Sequence, residues 1–565
     1  MVSARNQDRW TWLPVISWLG SYSRAFLRAD LFAGMTASAV VLPKAMACAD
    51  IAGLPIETGL YTALAAMLVY PVFGTSRLLS VTSTSTLALM TAAEVTATNQ
   101  GGVPAVGAVT IGVTLAFLVG VFMIAARILR LGFIANFISK PVLVGFEAGI
   151  GIVIIVSQLK SLLGVHLSST STVGILRDLP GTLAQTHLLT LALALSGIAL
   201  LVLLPRKWPS FPASLLLVGL GVTAAAMFNL GAFGVRLTGN FPEGLPPFAL
   251  PDFSLISRLW PAALGIVLMS FTESVSAARS FQQHEDPAIN PDQELVAIGA
   301  ANIAVSFFGG FPAGGGTSQT AVNCSAGARS QIAQWVSSGV VVACLLLFSK
   351  VLALIPQVFL GALVLVVAVS MIKPEKFRAI GRIRRDELWW AVVTMAGVVL
   401  IGTLEGILIA VAISVLTLFY QSNHPPVYVV AYNPEKKIFR RFGEDTDDVI
   451  YPGLLILRTE GRLTFANASY VGDRMRALMK EHDFRVIILE CSAIPDIEYT
   501  ALVMLTEARE NLEKRGVELW LSTLNPDLFR MIERSPLGEK LGHDRMFFNL
   551  QIALEAYRAK GSAKA

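Results

Sequence analysis

Charged residues are scarce in this sequence. They make up 15% of its 565 residues, whereas soluble globular domains carry about 25%. Hydrophobic residues make up 54%, and the mean hydropathy is +0.63. This composition excludes a chain built only of ordinary soluble domains, and it predicts that most of the chain lies in lipid.

Cysteine is also rare, and the four cysteines, Cys48, Cys324, Cys344 and Cys491, show no metal-ligand spacing. A disulfide or zinc framework is therefore not indicated. The sequence also lacks a nucleophile–base constellation of the kind that marks an enzyme. We expect no enzymatic activity, no cofactor and no metal site.

The charges are unevenly distributed along the chain. Residues 421–565 carry 21 acidic and 20 basic side chains, which is 41 of the 83 charges present. This pattern predicts a cytoplasmic lead-in at 1–30, a membrane transport domain at 31–420 and a cytoplasmic domain at 421–565. The nearly balanced charge of the last segment gives no reason to expect a nucleic-acid partner.

The N-terminal 30 residues lack the uninterrupted apolar stretch and the cleavage site of a signal peptide, so we interpret them as a retained interfacial segment. Apolar windows long enough for a membrane span of roughly 20 residues follow. Clear examples are 106–125, 142–159, 188–204 and 332–348. Lysine and arginine collect mainly in alternate connections, which predicts a multi-pass protein of the cell inner (plasma) membrane with both termini in the cytoplasm.

Two segments, 86–95 and 317–326, are too short and polar to cross a bilayer as regular helices. They suggest half-helices that face an internal site, because lipid cannot satisfy free backbone groups. Each follows a run of small or hydroxyl residues, SVTSTST at 80–86 and FPAGGGTS at 311–318. Unpaired N–H groups and the positive end of the dipole at two such starts attract an anion. The alternative is that small residues only permit tight helix packing.

Two ionisable residues lie within apolar segments, where charge is costly. Lys44 follows Pro43, and a helix broken at this proline is expected to place the ammonium group beside the anion. The alternative is a lysine that snorkels to the interface. Glu273, within LMSFTESVSAA, suits the transfer of a proton or the binding of a coupling cation. Its alternative role is that of a structural partner for Arg279 or Lys44.

Several segments together resemble the sulfate permease (SulP) family of secondary anion transporters. They include residues 30–77 with the elements AGLP, GLY and GTSR, then FTESVSAARSF, and GGGTSQTAVNCSAGARSQIA. The resemblance implies an α-helical polytopic fold of roughly 14 membrane segments in two inverted repeats of seven, with core and gate domains, and a homodimer. It places the substrate between the starts of the third and tenth helices.

The substrate-binding residues expected from these arguments are Lys44, Thr84, Ser85, Thr86, Gly315, Gly316 and Thr317. Two departures from the family pattern bear on the substrate. Lys44 stands where many members have glutamine, and hydroxyl residues replace a glycine–proline pair before the third helix. An extra positive charge favours a highly charged anion such as sulfate.

Residues after Pro426 follow a different pattern. Apolar runs at 454–461 and 485–492 alternate with helical stretches at 469–480 and 499–515, which predicts an α/β domain. This part resembles the STAS domain that ends many SulP chains. The resemblance implies a cytoplasmic regulatory partner and possible phosphorylation of Thr500, with helix capping by Thr500 as the alternative.

Together these patterns favour secondary active transport of an inorganic oxyanion, foremost sulfate by proton symport through alternating access. The alternatives are a bicarbonate or dicarboxylate carrier of the same family, coupled to sodium or protons, and a passive anion channel.

Overall fold

The computed structural model describes residues 13–20, 22–100, 107–136, 139–165, 172–208, 212–239, 244–284, 286–436, 438–443 and 448–562. The first twelve residues of the expected lead-in lie outside the described residues. The chain divides into two compact units, Met1–Ser414 and Val415–Ala565.

The first unit is mainly helical. Its helices are, in chain order, α1 (Pro14–Gly20), α2 (Leu27–Ala52), α3 (Glu57–Phe73), α4 (Ser85–Gln100), α5 (Ala108–Ile128), α6 (Lys140–Leu163), α7 (Thr172–Thr182), α8 (Leu188–Lys207), α9 (Ala213–Phe228), α10 (Ile256–Ser280), α11 (Pro291–Phe307), α12 (Thr317–Ser325), α13 (Ile332–Leu347), α14 (Ser349–Leu352), α15 (Gln357–Met371), α16 (Pro374–Ile383), α17 (Arg385–Leu400) and α18 (Thr403–Asn423), which continues into the second unit. Two short strands, β1 (Val81–Thr82) and β2 (Gly314–Gly315), complete it.

Among the described residues, six helical stretches are long and apolar enough to cross a membrane. They are Arg24–Ala52, Ala108–Ile128, Lys140–Leu163, Leu188–Lys207, Phe253–Ser280 and Gln357–Ile383. Helices α3, α9 and α13 are apolar but shorter. The four apolar windows expected from the sequence correspond to α5, α6, α8 and α13. The expected membrane unit is therefore confirmed, whereas the number of segments and their inverted repeats stay predictions.

The expected break at Pro43 is wrong, since α2 continues through this proline to Ala52. Proline has no N–H, so the carbonyl of Ala39 loses its helical donor. The Ser214 hydroxyl of α9 donates to that carbonyl at 3.4 Å. A neighbouring helix thus satisfies the freed backbone group, which is how membrane helices tolerate proline.

Glycines bring several helix backbones close together. A Cβ on Gly59 of α3 would lie 1.9 Å from the carbonyl oxygen of Ala45 in α2, and one on Gly145 of α6 would lie 2.1 Å from that of Ala391 in α17. Neither site has room for a methyl group. Close packing of this kind stabilises helix pairs in lipid, where the hydrophobic effect between helices is absent.

Two buried carboxylates connect distant parts of the first unit. Asp30 in α2 accepts hydrogen bonds from the N–H groups of Arg329 and Ser330, at 2.7 and 3.0 Å, just before α13. Glu294 in α11 accepts from the Tyr70 hydroxyl and the Thr75 N–H, both at 2.8 Å. Because both carboxylates are well supplied with donors, they act as structural connections.

The second unit is an α/β fold around one sheet. Its strands and helices are β3 (Val427–Asn433), β4 (Ile438–Arg441), β5 (Gly453–Thr459), α19 (Ala468–Lys480), β6 (Phe484–Glu490), α20 (Tyr499–Glu513), β7 (Glu518–Ser522), α21 (Pro526–Glu533), α22 (Pro536–Leu541), β8 (Met546–Phe547) and α23 (Leu550–Ser562). The strand order is β4-β3-β5-β6-β7-β8, with β5 to β8 parallel.

Side chains of β5 and β6 alternate between two apolar clusters. Leu455 and Ile487 belong to one cluster, whereas Ile456 and Ile488 belong to the other. These strands therefore bury both faces, as expected of a parallel sheet with helices on each side. The α/β fold expected for this part of the chain is confirmed.

Candidate anion-binding site

The starts of α4 and α12 adjoin a two-stranded ribbon inside the first unit. Strands β1 and β2 are antiparallel, with Val81 opposite Gly315 and Thr82 opposite Gly314. Helix α12 has nine residues. Helix α4 has sixteen residues and ends at Gln100, beyond the expected 86–95. At 1.5 Å per residue α4 is about 24 Å long, still short of a bilayer core of about 30 Å.

Side chains from α10 and α11 satisfy the backbone around β2. The N–H of Gly315 donates to Ser274 Oγ at 2.6 Å, and the Ser270 hydroxyl donates to the carbonyl of Ala313 at 2.9 Å. Asn302 accepts from the Ala313 N–H at 2.8 Å and donates to its carbonyl at 3.1 Å. Extended backbone at membrane depth is tolerated here because protein groups replace water.

The glycines of this ribbon have a packing role. A Cβ on Gly315 would lie 2.9 Å from Ser274 Cα, and one on Gly314 would lie 2.9 Å from Ser270 Oγ. A Cβ on Gly316 would lie 2.0 Å from Gln319 Oε1. The tight-packing alternative therefore accounts for Gly314 and Gly315, and substrate binding by Gly315 and Gly316 stays a prediction.

Lys44 is buried, with 8% of its surface exposed, and reaches the ribbon through Gln319. Its Nζ donates to Gln319 Oε1 at 2.8 Å. The amide nitrogen of Gln319 donates in turn to Thr82 Oγ1 at 3.0 Å. A snorkelling lysine does not have this geometry. Gln319 connects α2, α12 and the segment before α4, and sequence reasoning did not select it.

Glu273 of α10 contacts Thr84, the residue that precedes α4. It is half-buried, and its Oε2 accepts a hydrogen bond from Thr84 Oγ1 at 3.4 Å. Thr84 Oγ1 accepts from the N–H of Leu87 at 3.4 Å, as a residue capping α4 does. Lys44 thus contacts Gln319 in the first turn of α12, and Glu273 contacts Thr84 just before α4.

The other expected ligands differ in their surroundings. Ser85 is half-buried, with its Oγ 4.0 Å from Cys48 Sγ, and Thr86 is buried. Thr317, at the start of α12, is exposed. Substrate binding by these hydroxyls stays a prediction.

Sequence reasoning also missed Ser83. Its side chain is fully buried, and its hydroxyl has no hydrogen-bond partner within the described part of the chain. A buried donor without a partner is costly, so it marks a place where a bound group can accept a hydrogen bond. The only sequence signal for Ser83 is its position in the segment SVTSTST, and several neighbouring hydroxyl residues have the same signal.

Over the residues that the structure describes, no group of three or more histidine, cysteine, aspartate or glutamate side chains could hold a metal ion.

The profile of the sulfate permease family matches residues 27–396, which is most of the chain. The chain belongs to the sulfate permease family. A STAS domain profile matches residues 446–553, within the second unit. As a sulfate permease family member with several membrane-spanning helices, this protein is a membrane transporter of anions.

Curated relatives cover nearly the whole chain. Probable sulfate transporter MT1781 of Mycobacterium tuberculosis (strain CDC 1551 / Oshkosh) is 34% identical over 554 residues, covering 97% of this chain and 98% of the relative. Sulfate transporter 3.1 of Arabidopsis thaliana is 28% identical, and the match covers 96% of this chain and 86% of that relative. Both relatives are thus named as sulfate transporters, the first as a probable one.

The fold is also similar to a solved structure. The murine Slc26a9 anion transporter, in the inward-facing state, superposes with a TM-score of 0.86 over 97% of this chain and 94% of its own. Its sequence identity is 21%, so the match establishes the fold alone.

Thr500 lies in the second unit as the second residue of α20, and its side chain is exposed. The N-cap of α20 is Glu498, which makes no side-chain capping hydrogen bond. The alternative that Thr500 caps this helix is therefore wrong, since the cap lies two residues earlier.

Proposed function

We propose that this protein carries sulfate across the plasma membrane by proton symport, through alternating access of one central site. Relatives named as sulfate transporters in Mycobacterium tuberculosis and Arabidopsis thaliana support sulfate as the substrate. The observation that carries the proposal is the convergence of Lys44 and Glu273 on the starts of α4 and α12.

Sulfate binds against the two helix starts. Unpaired N–H groups and the positive dipole ends stabilise an anion there by about 0.3 to 1 kcal/mol per terminus, and more when partly buried. Lys44 adds a full positive charge, held in place by Gln319. The hydroxyls of Ser83 and Thr86 supply donors, and that of Ser83 has no partner among the described residues. Thr84 donates to the ionised Glu273, and its proton becomes free for sulfate once Glu273 is protonated. Ser85, which is half-buried, and Thr317, which is exposed, supply further hydroxyl donors.

Glu273 couples a proton to the anion. An ionised carboxylate close to sulfate repels it, and the repulsion is strong where water is excluded. Protonation of Glu273 removes this repulsion, so proton and sulfate bind together. The Thr84 hydroxyl, which donates to Glu273 at 3.4 Å, lies between the carboxyl group and the start of α4. When the site that holds sulfate and the proton changes its access from one side of the membrane to the other, both are transported.

The test is uptake of radiolabelled sulfate by proteoliposomes under an inward proton gradient. We expect sulfate to accumulate above its external concentration, and a protonophore to abolish the accumulation. Replacement of sodium by potassium should have no effect. Preferred uptake of bicarbonate or succinate, or a requirement for sodium, would favour the other carriers. Reversal potentials that follow the anion gradient alone would identify a channel.

We also propose a homodimer with both termini in the cytoplasm and a regulatory partner at the second unit. Thr500 is its phosphorylation site, because it is exposed and a phosphate in the first turn of α20 is stabilised by the helix dipole. A phosphate-sensitive mobility shift should be present in the wild type and in Thr506→Ala, and absent in Thr500→Ala. A shift that persists in Thr500→Ala would exclude this site.

A further inference from the structure

Helices α16 and α17 enclose a basic groove at the end of a membrane span. Helix α16 follows directly on the apolar helix α15, and Arg384, with φ −144° and ψ 117°, forms the extended corner between α16 and α17. The groove has a volume of about 550 Å³ and is lined by Phe377, Arg378, Gly381, Arg382, Arg385, Leu388 and Trp389. It lies outside the candidate anion-binding site.

Three arginines of this groove have no counter-ion among the residues that the structure describes. Arg378, Arg382 and Arg385 are exposed, and in the described ranges none of them forms an ion pair or a side-chain hydrogen bond. By contrast, the neighbouring Arg384 lies 3.9 Å from Glu387. Arg378 and Arg382 are four residues apart on α16 and therefore share one helix face. Three guanidinium groups on one groove supply donors of the kind that bind phosphate oxygens.

The same groove carries exposed apolar surface. Trp389 is 67% exposed, and Phe377 and Leu388 also line the groove. A Cβ on Gly381 would lie 3.0 Å from Leu388 Cδ2, so α16 packs closely on α17 and Leu388 forms part of the groove floor. Tryptophan beside arginine at the end of a membrane span is typical of the headgroup region of a bilayer.

We propose that this groove binds the headgroup of an anionic phospholipid. The arginines contact the phosphate, while Trp389, Leu388 and Phe377 contact the first carbons of the acyl chains. Free phosphate would satisfy only the arginines, and an acidic protein surface would not need the exposed tryptophan at the end of a span. An amphipathic helix with a basic face is suited to this position. The proposal does not depend on which anion is transported.

The experiment is a lipid titration of the purified full-length protein in detergent, followed by native mass spectrometry. Phosphatidylglycerol is compared with phosphatidylcholine of identical acyl chains. The triple variant Arg378→Gln/Arg382→Gln/Arg385→Gln should bind phosphatidylglycerol more weakly by on the order of 100-fold, since each basic residue near an anionic lipid contributes about fivefold. Binding of phosphatidylcholine, whose choline group neutralises the phosphate charge, should be weakened much less.

The matched control is Arg474→Gln/Arg515→Gln/Arg534→Gln, which removes three exposed arginines from the second unit. It should bind phosphatidylglycerol as the wild type does. Should the first triple variant fail to fold, the single variant Arg382→Gln should still weaken phosphatidylglycerol binding by about fivefold.

Equal phosphatidylglycerol affinity in the wild type and in the folded arginine variants would overturn the proposal. Competition by inorganic phosphate at concentrations comparable to the lipid would also overturn it, because the site would then recognise a free anion. Trp389→Ala should weaken the binding of both lipids to the same extent, because Trp389 contacts the acyl chains and not the headgroup.

Discussion

Lys44 and Gln319 form a buried pair, and we propose that its positive charge binds the anion. A charge-assisted hydrogen bond contributes about 1.5 to 3 kcal/mol, so Lys44→Gln should raise the sulfate concentration for half-maximal uptake by about 10- to 100-fold. Exchange of the two residues, Lys44→Gln/Gln319→Lys, keeps one positive charge and one hydrogen bond. Uptake by proteoliposomes should recover much of the affinity in the exchanged pair.

The exposed Lys480, in the second unit, provides the control, since Lys480→Gln removes the same charge far from the site in sequence. It should leave sulfate uptake unchanged. Unaltered sulfate affinity in Lys44→Gln would remove the electrostatic role of this lysine. An exchanged pair no better than either single variant would show that the position of the charge, and not only its presence, is fixed.

Glu273 is predicted to set the pH dependence of transport. In Glu273→Gln the side chain is neutral at every pH and can still accept from Thr84, so uptake should no longer increase as the external pH falls. Initial rates between pH 5.5 and 8 measure this. Glu94→Gln, a change in another half-buried membrane carboxylate, should keep the wild-type profile. A surviving pH response in Glu273→Gln would assign the proton to a different group.

Cys491, at the end of β6, is predicted to resist alkylation in the native protein. Burial raises the pKa of its thiol, and the adjacent Glu490 carboxylate raises this pKa further by a smaller amount. A raised pKa leaves little of the reactive thiolate at pH 8, and the buried sulfur is also shielded from reagent. Mass spectrometry after iodoacetamide treatment should find Cys491 modified only when the protein is unfolded. Rapid labelling of native protein would contradict this.

At the residue scale, the sequence draws attention to residues that contrast with their neighbours. Lys44 and Glu273 stood out because charge is rare in apolar segments. Gln319 and Ser83 did not, since uncharged polar residues are common around them. Gln319 contacts Lys44 across 275 positions of sequence, and nothing local to either residue encodes that contact.

At the scale of helices, the contact between α2 and α3 is sensitive to one methyl group. Gly59→Ala places a Cβ 1.9 Å from the Ala45 carbonyl oxygen, so the helices must separate. Overpacking of this kind costs about 1 to 3 kcal/mol, and the melting temperature in detergent should fall. Gly339→Ala in α13 is the matched change, since nothing lies within 4 Å of its Cβ.

We expect Gly339→Ala to leave the melting temperature unchanged or to raise it, because alanine favours a helix over glycine by about 1 kcal/mol. Equal effects of the two substitutions would contradict the packing argument for Gly59.

Apolar windows predicted helices well because a membrane span needs a continuous hydrophobic run, which is a local property. The break at Pro43 was predicted wrongly, because the donor that replaces the missing N–H comes from Ser214 on another helix. Tight packing by the ribbon glycines was one of the two expected roles, but the sequence does not show which residues they pack against. Their close neighbours, Ser270 and Ser274, lie on α10, about 40 residues earlier in the chain.

For the whole molecule, composition and charge distribution predicted a membrane unit followed by an α/β unit, and both are present. These are properties averaged over hundreds of residues, so they survive errors at single positions. The meeting of α4 and α12 depends instead on pairing between β1 and β2, two strands of two residues each. Strands this short carry almost no sequence signal, so only the repeated short polar segments indicated the site.

The central claim is that the anion binds between the starts of α4 and α12. The most direct measurement is the position of bound selenate, a tetrahedral dianion like sulfate, in a cryo-electron microscopy map of the full-length protein. The account predicts density beside the β1–β2 ribbon, within about 4 Å of Lys44 Nζ and of the Ser83 hydroxyl. Selenate bound elsewhere at saturating concentration, with no density at the two helix starts, would contradict it.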